Sequence, residues 1–162
     1  MCGPYFNALA VAELRPLRTR AVEAYRQAGE QIVAANYEAA RLQLDLAHRG
    51  LPQIGDRIAL QIARLELLRN QPARAAEFFG EASQSPHESV RVEAELGRVL
   101  ALLRSNDPDA DQALDELLST YPSVPHADEL LFEQAHSLMR RARYEEAMAV
   151  MHTVRVEFPG TR

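Results

Sequence analysis

The feature that most constrains this chain is internal self-similarity. A motif of an aromatic or turn residue, an Ala, a large apolar residue, a further small or apolar residue and a closing proline recurs along it. The first copy reads Asn36-Tyr37-Glu38-Ala39-Ala40, then Leu44, Ala47 and Pro52. The second reads Pro72-Ala73-Arg74-Ala75, then Phe79, Ala82 and Pro86, one residue early. The last reads Tyr144-Glu145-Glu146-Ala147, then Met151, Val154, Phe158 and Pro159, with Ala135 twelve residues before Ala147. A looser third copy has Gly97 at the small first-helix position and Ala110, Leu114, Leu117 and Pro122 in the second helix. It carries one extra residue in the turn Ser105-Asn106-Asp107-Pro108. Small residues let two helix backbones approach, and Leu, Phe or Met fills the groove between them. One such hairpin leaves an apolar face open, so neighbours must stack to bury it.

The expected helices run at 6–15, 18–34, 37–49, 56–69, 73–84, 88–104, 109–120, 126–141 and 144–157. Breaks fall at Gly50 to Pro52, Asn70 to Pro72, Ser85-Pro86, Asn106 to Pro108, Tyr121 to Pro125 and Pro159-Gly160. Pro16 is expected to break or kink the first helix. No strand pattern is present. The expected fold is all-α, an α-solenoid of antiparallel helix hairpins. It divides into an N-terminal tether or helix at 1–17 and a repeat domain at 18–162, with repeats at about 21–54, 56–88, 89–125 and 126–162.

These motifs resemble the tetratricopeptide repeat family, whose members are scaffolds that bind other polypeptides, commonly on the concave face lined by the first helix of each repeat. The resemblance therefore implies a protein or peptide partner. Tyr121-Pro122-Ser123-Val124-Pro125-His126-Ala127 and Phe158-Pro159-Gly160-Thr161-Arg162 are similar to the linkers of bacterial envelope repeat proteins, the barrel-assembly lipoproteins and Tol-Pal coordinators among them. Cys2-Gly3-Pro4-Tyr5-Phe6-Asn7-Ala8 resembles the start of a mature bacterial lipoprotein, with Cys2 as the lipidated residue. No lipobox precedes Cys2, so that reading needs Met1 to replace a signal peptide; the alternative is a cytoplasmic start with a free thiol. The address implied is the periplasm, anchored to the outer membrane through lipid on Cys2 alone. The array stops after a linker without a polar-faced closing helix, so the native chain is expected to continue past Arg162, or the last apolar face to meet a partner or a second copy of the chain. Two other readings follow: the helical N-terminal part of a larger envelope enzyme, and a cytosolic adaptor.

The face expected to receive a partner carries Arg57, Gln61, Arg64, Arg91, Glu95 and Arg98, followed by Phe132, His136, Met139 and Arg140. The pairs Arg57 with Arg64 and Arg91 with Arg98 are each seven residues apart, which puts each pair on one helical stripe. Arg forks bind carboxylates bidentately, so an acidic partner segment fits this stripe; pairing with neighbouring Glu and Asp is the competing explanation. Phe132 and Met139 suit either an apolar anchor or core packing. The Lys and Asn clamp of chaperone-binding family members is replaced by Tyr25, Gly29, Leu60 and Arg64.

Net charge is -5, with all 18 basic residues being Arg, which argues against a nucleic-acid partner. No apolar run reaches the roughly 18 residues of a membrane helix. A single cysteine excludes an internal disulfide and a Cys-rich zinc site. His48, His87, His126, His136 and His152 lie on separate segments without metal-ligand spacing. The acidic turn Asp107, Asp109 and Asp111 lacks the remaining ligands of a calcium loop. No nucleophile motif or phosphate-binding glycine loop is present, so no catalysis, metal or cofactor is expected. Oligomeric state is not encoded in any of these patterns.

Overall fold

The computed structural model describes residues 5–122 and 126–158, with side chains from residue 16 onward. Cys2 and the linker residues 123–125 and 159–162 lie outside the described residues. Among the described residues there are eight α-helices and no strand: α1 Tyr5–Val33, α2 Tyr37–Gly50, α3 Gly55–Leu68, α4 Pro72–Ala82, α5 Glu88–Ser105, α6 Ala110–Thr120, α7 Ala127–Arg140 and α8 Tyr144–Glu157. A single 3-10 turn at Pro52–Ile54 joins α2 to α3. The fold is an all-α, solenoid-like stack of helix hairpins.

One expectation is corrected. Pro16 does not divide the N-terminal segment; it sits inside the continuous helix α1. A proline removes one backbone donor, and the turns on either side carry the helix through that loss. The section of α1 that pairs with α2 is Ala-rich. Ala21, Ala24 and Ala28 are buried at i, i+3 and i+7, facing a cluster that includes Ala40, Leu44 and Ala47 of α2. Gly50 closes this hairpin, because a Cβ there would lie 2.3 Å from the Ala21 Cβ.

Each hairpin is turned by the same device. Ala35, Asn70, Asn106 and Ala142 adopt left-handed φ values of 57°, 56°, 57° and 58°, recurring about every 35 residues, within the period of helical repeats. In all four turns the next residue's N–H bonds back five residues: Asn36 to Gln31 O, Gln71 to Glu66 O, Asp107 to Leu102 O and Arg143 to Leu138 O, at 2.8–3.0 Å. This pairing satisfies carbonyls that a helix end leaves open. Asn tolerates the conformation; Ala does so at some strain.

The apolar interior forms three successive clusters. The first joins α1, α2 and the inner side of α3 through Leu44, Ile58, Ile62 and Leu65, all nearly fully buried. The second joins α3, α4 and α5 through Leu60, Phe79, Val90 and Ala94. The third joins α5, α6 and α7 through Val99, Leu103, Leu114 and Leu130. Each fully buried Leu or Ile contributes about 1.5–3 kcal/mol. Every cluster borrows a helix from the next hairpin, which makes neighbouring hairpins interdependent.

Polar clamps fix the register between hairpins. Glu66 of α3 is wholly buried; its carboxylate accepts from Arg41 Nε at 2.6 Å and from Arg69 at 2.9 Å. The Arg41 guanidinium lies 4.7 Å from the centre of the Phe78 ring. Asp111 of α6 accepts from Arg141 at 2.9 Å and from Arg143 at 2.7 Å, tying α6 to the α7–α8 turn.

Candidate concave groove

Helices α3, α5 and α7 are the first helices of successive hairpins, and α3 and α7 both pack along α5. Between them lies a cavity of about 210 Å³. Its floor is apolar, with Leu67 from α3, Leu96 and Leu100 from α5 and Leu130 from α7. Beneath them lies the Phe79 ring of α4. The rim is polar, with Arg64, Glu93, His126 and Glu129. Arg64 and Glu93 form an ion pair bridging α3 and α5, and His126 lies 3.9 Å from the Glu129 carboxylate.

Gly97 sets which face of α5 turns into this groove. A Cβ at position 97 would lie 2.3 Å from Phe79 Cε1 and 2.4 Å from Cζ, so only glycine admits the ring at this closeness. With Gly97 against the Phe79 ring, the residues four before and three after it, Glu93 and Leu100, line the cavity together with the adjacent Leu96.

The ten residues expected from the sequence to form one binding face fall on several surfaces. Arg57 is exposed beside Asp56 at the start of α3, Gln61 is half-buried, and Arg64 is held by Glu93. Arg91 donates to Ser85 O at 3.3 Å. The Tyr121 hydroxyl interacts with both Glu95 and Arg91, and the bond to Glu95 raises its pKa. Glu95 and Arg98 therefore face a separate groove toward α4 and α6, lined also by Ser83, Gln84, Glu116 and Thr120. Arg140 is spent on the end of α5, donating to Asn106 Oδ1 and Leu103 O at 2.8 Å each. Only Arg64 of the ten lines the α3–α5–α7 cavity. On α5, Arg91 stands beside Ser85 and Tyr121 and Arg98 lines the groove toward α4 and α6, whereas Arg64 of α3 lines the α3–α5–α7 cavity. Phe132 and His136 stand together on α7, ring centres 4.6 Å apart, and Phe132 and Met139 are both exposed rather than part of the core.

Sequence reasoning passed over Glu93, Leu96, Leu100, Leu67 and Leu130. On α5 the signal lay in Gly97 itself: once it is placed against the second helix, Glu93 and Leu100 follow by helical spacing.

Other polar clusters serve the scaffold. The buried Ser85 hydroxyl donates to Asp56, and this bond, with the Arg57 backbone N–H and nearby positive charge, outweighs the opposing effect of burial and holds the Asp56 carboxyl below its usual range. Asp107 accepts from the Asp109 backbone N–H at 3.0 Å, whereas Asp111 is occupied by arginines, so the three acidic side chains of that turn do not converge. Among the described residues no group of three or more His, Cys, Asp or Glu is placed to hold a metal ion. No described helix is long and apolar enough to cross a membrane. No family model, curated protein or solved structure matches the chain.

Proposed function

We propose that this chain is a non-catalytic, tetratricopeptide-type scaffold that holds a segment of a partner polypeptide in the α3–α5–α7 groove. The observation that carries the reading is the groove's build: a leucine floor over the Phe79 ring, closed at the rim by the Arg64–Glu93 pair. Its volume of about 210 Å³ suits one or two apolar side chains rather than a whole small-molecule ligand, whose sites usually start near 300 Å³. The rim contributes both signs of charge, so the partner's anchor is apolar and flanked by polar residues of either sign. An acidic segment has less to bind than the sequence alone implies, since Arg64, Arg91 and Arg140 already have partners within the chain.

A random-peptide library displayed on phage and selected on the immobilised protein tests this. Enriched peptides share an apolar anchor and lose binding to Leu96→Glu/Leu100→Glu, compared at a temperature where its far-UV spectrum matches the parent's, because both leucines also pack against the α5–α7 core. Selection of nothing above background, or equal binding by the double variant, contradicts the proposal. An envelope address through lipid on Cys2 belongs to the same proposal and rests on the linker and Cys2 motifs of the sequence. Intact mass of the protein from its own cells tests it separately: acyl chains on Cys2 support it, and an unmodified thiol on soluble protein removes the address while leaving the scaffold.

A further inference from the structure

On the far side of the stack, the α7–α8 hairpin presents a second groove, independent of the concave one. Met139, Tyr144, Met148, Met151, His152 and Arg155 surround a cavity of about 580 Å³. Met148 is 74% exposed and Tyr144 62%, values that neither side chain adopts in a packed core. The face lies away from α5: the opposite side of α7 is engaged through Leu130, Glu133 and Arg140, the last two bonded to α5 and the Asn106 cap.

Two properties identify what it fits. Apart from Met1, every methionine of the chain lines this one groove. Thioether side chains are flexible and polarizable, so they mould to an apolar partner, as methionine-rich surfaces do when they receive helices. The second property is charge. His152 and Arg155 are the only charged or titratable groups in the lining besides the Tyr144 phenol, and no carboxylate lines it, in a chain of net charge -5. Arg155 makes no ion pair among the described residues, and the nearby Glu146 is held by Arg143 on another side of α8. From Tyr144 to Arg155 the stripe rises about 16 Å, which matches a helix of three turns.

We propose that the α7–α8 groove docks the apolar face of an acidic amphipathic helix from a partner protein, with methionines gripping its apolar anchors and Arg155 and His152 pairing with its carboxylates.

The methionines themselves supply the assay. Protein carrying carbon-13 methyl-labelled methionine is titrated with a synthetic 18-residue helix that bears Leu and Ala on one face and Glu on the other. The control peptide has Lys at every Glu. The expected result is saturable shifts of the Met139, Met148 and Met151 methyls with the acidic peptide, an unmoved Met1 methyl, and at least tenfold weaker binding of the basic peptide. Arg155→Glu, at an exposed position and with its melt checked against the parent, weakens the acidic peptide about tenfold. Absence of shifts at millimolar peptide overturns the proposal, as does equal binding of both peptides. Methyl shifts that depend on protein concentration alone also overturn it, because the occupant is then a second copy of the chain.

Discussion

Replacing Glu66 with Ala is the most informative perturbation of the scaffold. Its carboxylate is fully buried and receives Arg41 Nε at 2.6 Å and Arg69 at 2.9 Å on both oxygens. Those two guanidinium side chains are themselves only 10% and 11% exposed. Removing the acid leaves two largely desolvated cations facing a void. Breaking a buried ion pair from one side typically costs about 3–5 kcal/mol. Here Arg41 keeps Asp45 and Arg69 keeps Glu38, so the lower end, about 3 kcal/mol, is expected. Glu38→Ala is the matched control. It breaks a bond of 2.6 Å to the same Arg69, but the Glu38 side chain is 81% exposed, so water replaces most of what is lost and the cost stays below about 1 kcal/mol. Urea denaturation followed by far-UV circular dichroism measures both, and amide exchange locates the loosening at the α2–α3 contact, as expected where hairpins depend on their neighbours. A Glu66→Ala loss under 1 kcal/mol, or one equal to that of Glu38→Ala, refutes the reasoning that burial rather than distance sets the strength of these pairs.

Ala142→Gly relieves a left-handed φ of 58° and is expected to stabilise the chain by about 1 kcal/mol, read as a raised melting temperature; a fall would show that the turn does not hold this conformation. Gly97→Val places side-chain atoms where the Phe79 ring lies and is expected to cost about 1–3 kcal/mol by overpacking, whereas Gly29→Ala, which meets nothing within 4 Å, stabilises by up to about 1 kcal/mol. Burial pushes the Asp111 carboxyl up, but donors from Arg141, Gln134 and Arg143 outweigh it and hold its pKa below the usual value. Its stabilisation is therefore present above the ordinary carboxylate pKa of about 4 and is lost as pH falls through the lower folded value. Asp111→Asn is expected to cost about 1–2 kcal/mol at pH 7, limited because Asn keeps an acceptor oxygen, Arg143 keeps Glu146 and both arginines are partly exposed, with the difference from the parent shrinking in acid. Urea midpoints measured from neutral to acidic pH follow this, and a gap that widens in acid contradicts the sign.

The elements that could be read from the chain are those set by local rules. Helices α2 to α8 follow from the spacing of buried residues such as Leu44, Phe79 and Leu114 and from breaks at Asn70, Pro86 and Asn106. The left-handed turn residues were legible at Asn70 and Asn106, and hidden at Ala35 and Ala142, where alanine accepts a conformation that its neighbours impose. Pro16 misled because local chemistry marks it as a breaker, while α1 runs through it. The binding face was harder. A seven-residue spacing places Arg91 and Arg98 on one stripe but cannot say where that stripe points. Where α5 faces depends on tertiary contacts, among them the close approach of Gly97 to Phe79. The same holds for the pairing of Arg41 with Glu66, twenty-five residues apart in the chain and joined only by the stacking of hairpins.

The central claim, that the α3–α5–α7 groove holds a partner polypeptide, is tested most directly by site-specific photo-crosslinking in the protein's own cells. A photoreactive amino acid is placed at Leu100 in the groove and, separately, at Gln112, which is exposed on α6 away from it. The account predicts a discrete crosslinked polypeptide from position 100 that vanishes when Leu96→Glu is added, with none from position 112. Identical crosslinking from both positions, or none from position 100 in cells where the protein is abundant, contradicts it.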